Sequence, residues 1–191
     1  MHPYLGRECE TRILQLLTCL FLLCEIMVPF RSPLVFSFRD LRRGGMAGLI
    51  ATIPMTISML LGWRLLPKRE RYPLPPREII GEFTERMGGR ESDFTETELT
   101  AATLLAHFGY GALTGSTYAL IERKIPLRSS LKGALAGLFI WVVSYLGWIP
   151  AVRILTPATR HPWRRNLLMI FAHLVWGLTL GEVIRRSDSE K

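Results

Sequence analysis

The sequence predicts an all-α protein, a polytopic membrane bundle of four core transmembrane helices arranged as a tandem two-helix repeat. Three observations predict it. Four apolar runs each come close to the length that about 30 Å of hydrocarbon requires at about 1.5 Å per residue. Basic residues bracket those runs: Arg42 and Arg43, Lys68 and Arg69, Arg123 and Lys124, Arg164 and Arg165, Arg185 and Arg186. The runs also match in pairs. A chain of 191 residues has room for one such domain. Its 24 Lys plus Arg against 16 Asp plus Glu give a net charge of +8, which on a soluble chain would suggest nucleic acid. Here the basic residues stand where lipid headgroups lie, so the bilayer is the expected partner and nucleic acid is not.

Residues 1–42 form an N-terminal segment. Its apolar stretch, 13–30, carries Glu25, and a carboxylate inside the bilayer is costly. Three readings stay open: a fifth helix, an uncleaved signal anchor, or translation from a start upstream of the true one, with Met27 as the alternative start. No A-x-A-like site follows, so a removable signal peptide is not expected. Cys9, Cys19 and Cys24 lack a C-x-x-C pair and support neither a disulfide framework nor a zinc site.

The bundle occupies 43–186. The first span, 44–66, holds no charge before Arg64 and closes on Pro67-Lys68-Arg69-Glu70-Arg71. The polar loop 67–98 follows. Its Tyr72-Pro73-Leu74-Pro75-Pro76-Arg77-Glu78 reads as an extended turn, after which Ile79, Phe83 and Met87 at i, i+4 and i+8 predict a short amphipathic helix on the membrane or over the bundle. Gly88-Gly89 should end that helix, and Thr95-x-x-Glu98 reads as the capping box of the second span, 99–121. The third span, 131–152, is interrupted near its end by Pro150; the fourth covers 167–184, and 187–191 is a tail. Each span is expected to be helical because backbone amides in lipid must be satisfied internally.

The first span opens with Arg43-Gly44-Gly45-Met46-Ala47-Gly48-Leu49 and the third with Lys132-Gly133-Ala134-Leu135-Ala136-Gly137-Leu138. The second carries Ala106-His107-Phe108-Gly109-Tyr110-Gly111 with Gly115, and the fourth Ala172-His173-Leu174-Val175-Trp176-Gly177 with Gly181. Both of these read Ala-His-x-x-aromatic-Gly-x-x-x-Gly. An even number of crossings per unit gives the two copies one orientation, a parallel repeat about an axis along the membrane normal. Every span thus has two glycines four apart: Gly44 and Gly48, Gly111 and Gly115, Gly133 and Gly137, Gly177 and Gly181. Such pairs form a smooth groove into which a neighbouring backbone fits. The neighbour is expected within the same bundle, with a homodimer seam as the alternative.

His107 and His173 share a helix stripe with their glycines, which points them at another helix. Each lies about 12 Å into its span, near the midplane. Ionisable groups at that depth are functional candidates. A proton relay, a metal pair or two haem axial ligands are the sharp readings, and a packing hydrogen bond is the bland one. Tyr110 and Trp176, three residues on, should flank the imidazoles. Two histidines with no carboxylate nearby in the same spans make a poor zinc or iron site. Glu182 falls near the end of its span and reads as interfacial. Trp63, Trp141, Tyr145, Trp148 and Trp163 fit an aromatic belt, and His161-Pro162-Trp163-Arg164-Arg165 reads as an exposed loop.

Leu74-Pro75-Pro76-Arg77, Ala172-His173-Leu174-Val175-Trp176 and the closing Glu182-Val183-Ile184-Arg185-Arg186 resemble the YagU-like family of bacterial inner-membrane proteins, across roughly 43–186. That family has no established molecular activity. The resemblance therefore implies a multi-pass inner-membrane location and an architecture, and it transfers no catalytic residue. The Lys and Arg around the spans divide evenly between the two sides, so the positive-inside rule does not decide; the short basic loop before Lys132 favours a cytoplasmic C-terminus. Without a recognisable catalytic constellation, the expectation is a non-enzymatic structural or accessory bundle without a cofactor. The alternatives are a small proton or solute conduit using His107 and His173, and a haem-binding redox protein.

Overall fold

Apolarity marks the part of a helix that lies in lipid, and the helix itself can run on into the headgroups. In the computed structural model, which describes residues 37–189, the first and last helices extend beyond their apolar runs. Helix α1, Phe38–Leu65, starts six residues before Gly44, with Asp40 in its first turn against the positive end of the helix dipole. The last helix, α5, is Trp163–Ser189 and likewise overruns the apolar run 167–184 at both ends. The stretch 13–30, Glu25 and the three cysteines lie outside the described residues.

Helix α2, Pro75–Arg86, begins on the prolines themselves, which corrects the extended turn expected at Pro75-Pro76. The first amides of a helix have no partner inside it, so a ring that lacks the N–H and presets φ fits there. Past its end Gly88 sits at φ +84°, where a Cβ would be strained. Helix α3, Glu96–Ile121, carries the expected capping box: Thr95 Oγ1 accepts from the Glu98 amide, and the Thr95 amide donates to Glu98 Oε2 at 2.8 Å.

The third apolar run is not one α-helix. Helix α4 is Ser129–Val142, a π-helical segment follows over Val143–Trp148, and a short α turn occupies Ile149–Ala151. The departure thus begins ahead of Pro150. A proline ring crowds the carbonyl four residues back and removes a donor, so the turn before it widens, and the one non-helical φ/ψ in the segment falls on Gly147.

Helices α3, α1, α5 and α4 are successive neighbours, while α3 and α4, first and last in that row, share no substantial interface. Glycines set the close contacts. A Cβ on Gly48 would run into the Gly111 carbonyl, and one on Gly115 into the Gly44 carbonyl, so α1 and α3 touch backbone to backbone. Gly133 and Gly177 block each other in the same way between α4 and α5, and Gly137 lies against the His173 carbonyl. Ala47, Ala51 and Met55 of α1 and Ala172, Trp176 and Leu180 of α5 form the core. Large apolar side chains point outward instead: Leu105 is 78% exposed, Leu113 64% and Phe139 57%. Among the described residues, three helical stretches are long and apolar enough to cross a membrane, namely Phe38–Leu65, Ser129–Ala151 and Trp163–Ser189. At 26 residues α3 is also long, but Thr, Ser, Gly, His107 and Tyr110 dilute its apolarity.

Candidate functional site

Helix pairs that meet at glycines must diverge where larger residues take over. The glycine-on-glycine backbone contacts lie in the half of the bundle remote from α2. Towards α2, α1 presents Met55 and Met59, and the π segment presents Tyr145 and Trp148. The outcome is a cavity of about 250 Å³ between α3 and α4, floored by α1 and α5 and covered by Pro76 and Ile79 of α2. His107, Tyr110, His173 and Trp176 all line it.

His173 is buried, and its Nδ1 lies 2.7 Å from the Met169 carbonyl oxygen. A carbonyl only accepts, so Nδ1 carries the proton and Nε2 keeps a lone pair without a protein donor. His107 Nδ1 lies 3.4 Å from Thr56 Oγ1, whose own proton goes to the Thr52 carbonyl. The same tautomer follows, with a long hydrogen bond. The ring set edge-on to His173 is Tyr145, at 5.8 Å between centroids, and not Trp176. Tyr110 hydrogen-bonds Ser144 Oγ at 3.0 Å across the α3–α4 gap and tilts against Trp148.

Tyr145 and Trp148 line the cavity and Trp141 stacks on Tyr145, a role for these rings that the aromatic-belt reading did not include. The sequence reading also passed over Thr56 and Ser144. A signal for Thr56 existed. Thr56 stands twelve residues after Gly44, and Tyr145 twelve after Gly133, and each faces the histidine of its own hairpin.

The exposed loop expected at His161-Pro162-Trp163-Arg164-Arg165 does not extend to Arg165. Helix α5 starts at Trp163, and Arg165 is 2% exposed. Its guanidinium lies 3.6 Å from the Tyr72 ring centroid, donates to the Tyr72 and Pro73 carbonyls, and pairs with Glu78 at 3.4 Å. Within the loop motif, Pro75 is buried, Pro76 covers the cavity, Arg77 pairs with Glu91 and Glu96, and Glu78 holds Arg165. Desolvation raises the Glu78 carboxyl above its ordinary 4.5 even though Arg165 pulls the other way. His161 Nε2 donates to the Thr156 carbonyl at 3.1 Å, and its Nδ1 accepts from the Tyr72 hydroxyl at 2.6 Å. Burial lowers His161 below its ordinary 6.5.

At the opposite end a buried Glu122 accepts from Lys132 Nζ at 2.6 Å and Arg43 at 3.2 Å. Arg43 also donates to Asp188. Among the described residues, no three His, Cys, Asp or Glu side chains gather as metal ligands.

The family described as Protein of unknown function (DUF1440) matches residues 50–181. The chain is 25% identical over 183 residues to the Inner membrane protein YagU of Escherichia coli (strain K12), covering 76% of this chain and 85% of that protein. No solved structure matches the chain.

Proposed function

The chain belongs to the YagU-like family of unknown function, DUF1440, and from that premise we propose a four-span, non-enzymatic inner-membrane bundle, structural or accessory to a membrane partner. Its apolar helices and its inner-membrane relative make it an integral membrane protein. The fourth span is α3. At 26 residues it extends about 39 Å, and it lies along α1 through backbone contacts, so the two should share a solvent. Thr103, Thr114 and Thr117 donate their hydroxyls to carbonyls one turn back in their own helix, which hides them from lipid.

The tandem repeat draws support from matching contacts. Gly44 packs on Gly115 and Gly48 on Gly111 in the first hairpin, and Gly133 packs on Gly177 and Gly137 on the His173 carbonyl in the second, the same kind of backbone contact set one turn apart from the sequence register. Arg43 and Lys132, each preceding the first glycine of its copy, converge on Glu122. Glu122 and Asp188, each eleven residues past the equivalent glycine of α3 or α5, share Arg43.

The observation that supports the structural reading is that all four glycine pairs have a neighbouring helix within the chain. The conduit reading is favoured only by the cavity, and the glycine-packed, ion-paired end opposes a continuous path. The haem reading asks for more room, since sites for drug-sized ligands already take about 300–1,000 Å³ and the cavity holds about 250 Å³.

Proteoliposomes with a trapped pH dye, compared between the wild-type chain and a double His107→Ala, His173→Ala variant, separate these readings. The accessory reading expects equal proton leak in both, with a lower melting midpoint for the variant in detergent. A leak that is present in the wild type and abolished in the variant would overturn it in favour of the conduit.

A further inference from the structure

We propose that the cavity between α3 and α4 is a binding site for a lipid-soluble alcohol or phenol, whose hydroxyl donates to Nε2 of His173. The wall is almost wholly apolar: Met55, Met59, Ile140, Trp148, Ile149 and Trp176 supply most of it. Such a surface gives an ion or a sugar no exchange for its hydration. An apolar cavity of roughly 150 Å³ takes a benzene ring, so about 250 Å³ takes a ring with a short substituent.

The polar point is defined by the tautomer. Nδ1 of His173 is held by its bond to the Met169 carbonyl, on the side of its own helix backbone. The opposite edge of the ring, with the Nε2 lone pair, reaches the cavity and has no protein donor. An acceptor so placed in an apolar pocket recognises an O–H and discriminates against the same skeleton without one, because the lone pair is then left unpaired. The route is lateral. Helices α3 and α4 share no substantial interface, and at this level Tyr110 spans the gap, its hydroxyl on Ser144 Oγ and its ring against Trp148. A guest dissolved in the bilayer reaches the pocket between them without crossing water. That route rests on the four-span reading proposed above, whereas binding in detergent tests the pocket by itself.

Trp148 and Trp176 line the cavity and report on it directly. Bromine quenches tryptophan emission, so the full-length chain in detergent is titrated with 4-bromophenol and with 4-bromoanisole, its methyl ether. The expected result is saturable quenching by both, with the phenol about three- to tenfold tighter, the range of one net hydrogen bond. His173→Phe keeps a ring in place and should abolish the preference while leaving the ether unchanged. Ala106→Phe, from the α3 wall, should fill the pocket and remove saturable quenching by either probe; it also serves should the His173 variant fail to fold. Non-saturable quenching by both probes, equal affinity in the wild type, a preference that survives His173→Phe, or saturable binding that survives Ala106→Phe would each overturn the proposal.

Discussion

Arg165 carries the charge that, in sequence, flanks the last apolar run, yet its side chain is among the most deeply buried in the protein. It is tolerated because the guanidinium is matched by the Tyr72 ring on one face, two loop carbonyls and the Glu78 carboxylate. Glu78 sits less comfortably, since burial raises its carboxyl above 4.5 against the pull of Arg165. A group whose folded pKa lies above its unfolded one contributes stability that is fully present below the unfolded value and is lost as pH rises through the folded value. The wild-type chain should therefore lose that contribution between pH 4.5 and the raised pKa. Glu78→Gln removes it. Melting midpoints of the two proteins in detergent, measured across this window, should move apart as pH rises, the variant gaining on the wild type, and run parallel above it; parallel curves throughout would refute the assignment to Glu78.

At the scale of elements, the glycine pairs decide how closely helices approach. Gly48 on α1 has the Gly111 backbone where a side chain would go, and backbone cannot move aside as a flexible side chain can. Gly48→Leu should separate α1 from α3 and destabilise the chain by about 3 kcal/mol, at the upper end of overpacking effects. Gly109 is the internal control: it lies on the same helix as Gly111 with open space around it. Gly109→Leu should stay within about 0.5 kcal/mol of wild type. Unfolding midpoints in a mild detergent measure both, and equal effects would show that the close contact is not what holds the pair. The π segment has the converse role. By widening the turn before Pro150 it re-aims Ser144, Tyr145 and Trp148 into the cavity.

For the whole molecule, the two ends differ in kind. One is tight, with glycines and the Glu122 cluster; the other is splayed, covered by α2 and tied by Arg165. Glu122 joins Arg43 of α1 to Lys132 of α4, so it ties the two hairpins together. Glu122→Ala leaves Lys132 buried without its carboxylate and should destabilise by about 3–5 kcal/mol. Adding Lys132→Met should recover part of that loss, because the uncompensated charge is then gone. A double variant as unstable as the two single effects summed would show that the pair acts independently.

Helix positions, the capping box at Thr95, the glycine pairs and the stripe shared by each histidine with its glycines were legible because they rest on local periodicity and on residue size, which do not depend on what lies opposite. The sequence alone could therefore determine a helical membrane protein and direct His107 and His173 towards a neighbouring helix. Partners are another matter. That Tyr145 and not Trp176 meets His173, that Arg165 is buried under Tyr72, and that α3 and α4 stand apart around a cavity depend on which helices are neighbours and where they diverge. A one-dimensional pattern specifies which face a residue occupies. Only the packing of all the helices decides what that face meets, because the space between two helices is set by the residues of both.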